Sequence, residues 1–81
     1  MITLKLMDGV FNQSETMDLI TKMIHLKIKH HETKIEKDIT EEDLKHRESR
    51  IKQLQKDLYE LKYYIEHKKD TLSIHATITV N

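Results

Sequence analysis

The fold turns on one short stretch, Asp38-Ile39-Thr40-Glu41-Glu42-Asp43-Leu44. Thr40 can cap a helix, because its hydroxyl can accept from a backbone N–H of the first turn. A carboxylate stands three residues on at Asp43, and Ile39 and Leu44 occupy the two staple positions that flank such a cap. The acidic run Glu41-Glu42-Asp43 also suits the positive end of a helix. A new helix therefore starts at residue 41, with a break near Asp38–Thr40, and the chain does not continue as one helix of roughly sixty residues.

Downstream, Leu44, Ile51, Leu58, Ile65 and Leu72 recur in heptad spacing, with Leu54 and Leu61 at the intervening d-type positions. This is the seam of a coiled coil, and it predicts helix 2 over residues 41–70. Glu41/Lys45, Asp43/Arg47 and Glu48/Lys52 are i,i+4 pairs in the favourable order on its exposed face. Lys68-Lys69 suits the negative end of the same helix.

Upstream, Asn12 or Ser14 can cap a first helix over residues 14–37, and Asn12 has Glu15 at the capping-box distance with Phe11 just before it. Met17, Ile20, Ile24, Ile28, His31 and Ile35 form its seam. With a turn near 39–40, antiparallel packing pairs positions whose numbers sum to about 79. The layers become Ile35/Leu44, Ile28/Ile51, Ile24/Leu54, Ile20/Leu58 and Met17/Leu61, apolar on both sides in every case. Two seams read independently agree, and that agreement favours a helical hairpin. His31 breaks its seam where helix 2 puts Arg47 at a d position, beside Glu48. Such a polar layer fixes register in coiled coils, although a fraying hairpin tip also tolerates polar residues.

The termini carry a different period. Ile2, Leu4 and Leu6 alternate with Thr3 and Lys5, which predicts a strand over residues 1–7 that Asp8-Gly9 interrupts. Leu72, Ile74, Ala76, Ile78 and Val80 alternate with Ser73, His75, Thr77 and Thr79, a strand over 72–80 rich in β-branched residues. The expected fold is α+β, a β-α-α-β chain in one domain over residues 1–81. The hairpin brings both terminal strands to the same end, where they can pair antiparallel. A lone two-stranded ribbon is marginal, so pairing of strand edges between two copies into a four-stranded sheet is the natural completion.

Composition narrows the function. The 81 residues carry fourteen basic and fourteen acidic side chains and no cysteine. A core this small without disulfides usually needs a partner or a second copy. The absence of a basic surplus argues against nucleic acid as the main partner. The sequence shows no apolar run of about 20 residues and no signal-like segment, so the expected setting is soluble and cytoplasmic.

Six histidines raise the question of metal. His25, His30 and His31 are not spaced by three or four residues, and His46, His67 and His75 stand apart, so no metal site and no cofactor is expected. A single glycine, Gly9, cannot build a phosphate loop, and neither a G-x-S-x-G turn nor a cysteine nucleophile is present. The expected chain is not an enzyme. The lysines of helix 1 (Lys22, Lys27, Lys29, Lys34 and Lys37) alternate with acids and read as a solvated face.

Helix 1 nevertheless carries more apolar surface than one seam requires. Leu19, Met23 and Leu26 project opposite Met17, Ile24 and Ile28, and on helix 2 Tyr59 and Tyr63 share a face off the heptad. These five residues are the candidate interaction surface, with His31 and Arg47 as the polar layer. The expected function is a homo-oligomeric protein-interaction or scaffold module, with a dimeric nucleic-acid-associated regulator as the alternative.

Overall fold

In the computed structural model, which describes residues 1–37, 39–68 and 70–81, the order is β1 (Ile2–Phe11), α1 (Gln13–Ile35), α2 (Glu41–Glu66) and β2 (Leu72–Val80). The α+β chain is a β-α-α-β arrangement, with two helices and a two-stranded antiparallel sheet. Asp38, part of the expected break, and Lys69, one of the two terminal lysines, lie outside the described residues.

Both helix starts follow from local chemistry. The Asn12 side chain accepts from the Glu15 N–H at 2.8 Å, and the Glu15 carboxylate accepts from the Asn12 N–H at 3.2 Å, so a capping box starts α1. Thr40 Oγ1 accepts from the Asp43 N–H at 3.2 Å and starts α2. The helices end earlier than their periodicity suggests, at Ile35 and Glu66. Of the three expected i,i+4 pairs, Glu41 and Lys45 come to 3.9 Å. Arg47 instead turns its guanidinium inward, to His31.

Two side-chain links span the hairpin. At its base, the Gln13 side-chain amide donates to the Ile65 carbonyl at 2.9 Å and also to that of Lys68. Nearer the tip, Arg47 meets His31 at 3.1 Å. The Gln13–Ile65 and His31–Arg47 contacts match the register predicted from the seams to within one residue.

The first strand corrects the sequence reading. β1 does not stop at residue 7 but runs to Phe11, with a bulge between Lys5 and Met7. Lys5 opposes Thr77 and Met7 opposes Ala76, leaving Leu6 as the extra residue. An extra residue shifts the period-2 pattern by one. Ile2 and Leu4 before it, and Met7, Gly9 and Phe11 after it, are therefore paired with Val80, Ile78, Ala76, Ile74 and Leu72 along one face. Asp8-Gly9 has the chemistry of a turn, yet both residues pair within the strand, Asp8 with His75 and Gly9 with Ile74. Gly9 does not adopt a positive φ and pairs as an ordinary strand residue with Ile74.

The core sits where the ribbon meets the base of the hairpin. Among the described residues Ile65, Leu72 and Ile74 are its buried apolar side chains, and Thr16, whose hydroxyl donates to the Asn12 carbonyl at 2.8 Å, is buried as well. Moving away from the base, the sheet opens to solvent. Ile2, Leu4, Leu6, Ile78 and Val80 are all exposed. The molecule is accordingly extended: its radius of gyration is 15.3 Å and its envelope is 45 × 34 × 14 Å. A compact domain of this length has a radius of gyration of about 12 Å.

Candidate interaction surface

The site is built from the half of the ribbon that the helices leave uncovered. Seam residues Ile20, Ile24, Ile28, Ile51, Leu54 and Leu58 are only half-buried, as expected for two helices packed on each other with little else over their seam. The ribbon closes one flank near the base, where Met7, Ile74 and Ala76 come up to Ile20, Met23, Ile24 and Leu54. Beyond that, the wedge between ribbon and hairpin widens into an open groove of about 650 Å³. Leu6 and Ile78 form its sheet side and Met23 and Leu26 its helix side, while Lys27, Lys29, His30 and Thr33 border it.

The expected interaction residues divide into two groups. Met23 and Leu26 lie in this groove, Leu26 with 72% of its surface open and Met23 with 39%. Leu19, from the same stripe, is half-buried. Tyr59 and Tyr63 are exposed on α2 beside Lys62 and Glu66, in a shallow patch of their own that shares no residue with the groove. Tyr63 there stacks on His67, with ring centroids 4.1 Å apart. The structure also supplies residues absent from the candidate set, namely Leu6 and Ile78 in the groove and Ile2, Leu4 and Val80 beyond it. Their apolar alternation was visible in the sequence. The length of ribbon the helices leave bare was not, because it depends on the angle at which the strands leave the hairpin base.

His31 is buried on the inner face of α1, as its seam position implies, with His30 edge-on to it at 5.9 Å. Burial disfavours the charged ring, and the neighbouring Arg47 cation adds to the effect, so its pKa is held below the ordinary value of 6.5. On the opposite, polar face of the sheet, His75 Nδ1 lies 2.8 Å from the Asp8 carboxylate, and Lys5 approaches the same carboxylate at 3.9 Å. Among the described residues, no three His, Asp or Glu side chains converge as metal ligands, and no helix is long and apolar enough to cross a membrane.

The fold and surface together define a class: a small α+β chain whose helical hairpin and terminal ribbon enclose an apolar wedge. Comparison with protein-family models, with curated proteins and with solved structures finds no match to this chain.

Proposed function

We propose that this chain is a non-catalytic, cytoplasmic interaction module that assembles with itself, in the simplest case as a dimer, through the open wedge between ribbon and hairpin. One observation carries the reading. The isolated chain exposes 6678 Å² at a mass of 9.7 kDa. A folded monomer of that mass exposes about 5,100 Å². The excess, about 1,600 Å², is more than the ~800 Å² that each partner contributes to a standard stable interface. Much of the open surface is apolar and contiguous, running from Ile2 and Leu4 through Leu6 and Ile78 to Met23 and Leu26. Patches of that kind mark association sites.

A second copy suits the wedge better than an unrelated ligand. The groove is broad and open and is bordered by Lys27, Lys29 and Thr33 at its rim, so it resembles one half of an interface rather than an enclosed small-molecule cavity. The test is Leu26→Glu, followed by analytical ultracentrifugation at micromolar concentration. Leu26 is so exposed that the substitution leaves the isolated fold within about 0.5 kcal/mol of the parent. At a buried interface the same change forfeits ~1.5–3 kcal/mol per copy and places a charge in apolar surroundings. The variant is expected to stay helical and to sediment as a monomer where the parent is assembled. Sedimentation identical to that of the parent would remove the groove from the interface.

A further inference from the structure

We infer that the second copy is added through the outer edge of β2, pairing antiparallel with its own counterpart about a two-fold axis near Ile78 to give a four-stranded sheet in the order β1-β2-β2-β1. The inference rests on the self-association proposed above and specifies which edge makes it.

Both edges of the ribbon are open, but they differ. β1 is interrupted by the bulge at Leu6 and carries Lys5 and Asp8, features that discourage edge-to-edge pairing. β2 runs from Leu72 to Val80 without bulge, proline or lysine. Its Leu72 and Ile74 are buried at the hairpin base, and residues 77–80 are exposed. The exposed part is where two copies can approach without their hairpins colliding.

An axis at Ile78 opposes Ile78 to its own counterpart, Ala76 to Val80, and Thr77 to Thr79. The first two pairings extend the apolar face, while the threonine pairs fall on the polar face, a favourable cross-strand match. A two-fold axis between antiparallel strands keeps the inner faces of both copies on the same side. α1 is the helix that approaches β2, so the α1 helices of the two copies come to lie side by side over the joined sheet. Each then brings Met23 and Leu26 toward the other's groove, and the excess surface of each copy covers its partner.

The register makes the test specific. Within one chain Thr77 opposes Lys5, so Thr77→Glu is favourable there and serves as a common background. Across the axis, residue 79 of the second copy faces residue 77. Thr77→Glu/Thr79→Glu therefore sets like charges against each other twice, whereas Thr77→Glu/Thr79→Lys sets opposite charges. The first variant is expected to weaken dimerisation by about tenfold or more, and the second to dimerise at least as well as the parent. Because the chain lacks cysteine, Ile78→Cys provides a readout independent of charge. A thiol on the axis meets its counterpart at disulfide distance and should oxidise to a covalent dimer much faster than Ser73→Cys, which lies near the hairpin base. If both charge variants dimerise like the parent, or both dissociate, or the two thiols cross-link equally, the β2 pairing is wrong while self-association stands. A parent that is monomeric throughout would instead remove the proposed function itself.

Discussion

Arg47 reaches across the hairpin to His31, one guanidinium nitrogen lying 3.1 Å from Nδ1. A guanidinium can only donate, so Nδ1 accepts and the neutral ring carries its proton on Nε2. That atom is buried and has no partner among the described residues. The contact thus joins the two helices at the cost of an unsatisfied donor and a ring that resists protonation.

A pH dependence follows from this arrangement. Because the folded pKa of His31 lies below 6.5, the unfolded chain binds more protons in the interval between the two values. Stability is fully present above about pH 6.5 and falls as pH drops through that interval, levelling off below the folded pKa. His31→Leu removes this contribution. Urea unfolding of parent and variant at one fixed protein concentration should give a stability difference that shifts in favour of the variant between pH 7 and pH 5. Parallel pH profiles would show that His31 does not titrate as a buried group.

The small core makes stability sensitive to one residue in particular. Ile65 is 4% exposed and joins the hairpin base to the ribbon, where its carbonyl also receives the Gln13 amide. Ile65→Ala should cost ~2–5 kcal/mol, a large part of what a chain this size has available. Ile51→Ala, on the half-buried part of the seam, should cost less. Thermal unfolding of both variants checks the order, and equal losses would place the core elsewhere.

The contrast between Ile65 and Ile51 also shows how far sequence reasoning reached. Both occupy heptad positions and look alike in the sequence. Periodicity reports which face of a helix turns inward, but not how much is packed on top of it. The caps at Asn12 and Thr40, the register linking His31 with Arg47, and the bounds of β2 were legible because each is a local or strictly periodic signal. The end of β1 was not, since Asp8-Gly9 carries the chemistry of a turn and the bulge at Leu6 puts Met7, Gly9 and Phe11 out of phase with Ile2 and Leu4. The groove at Leu6, Met23, Leu26 and Ile78 was half legible. Its helix side was an apolar stripe in excess of one seam, but its sheet side depended on how the ribbon leaves the hairpin.

Salt separates an apolar interface from a role on nucleic acid. Fourteen basic and fourteen acidic residues leave no net charge, and the proposed contact is made by leucine, isoleucine and methionine. Self-association should therefore persist from 50 mM to 1 M NaCl, where exposed ion pairs are screened. Binding to a nucleic acid would instead weaken by orders of magnitude as salt rises. Dissociation of the assembly by moderate salt would show that charge, rather than the apolar wedge, holds it together.

The most direct measurement is the mass of the parent chain in solution, by light scattering coupled to size exclusion over a range of micromolar concentrations. The chain weighs 9.7 kDa. With the open wedge and the bare half of the ribbon covered by a second copy, the measured mass should be about twice that value and should fall toward the monomer only on strong dilution. A mass of 9.7 kDa at every concentration would leave about 1,600 Å² of surplus surface uncovered and would contradict self-association through it.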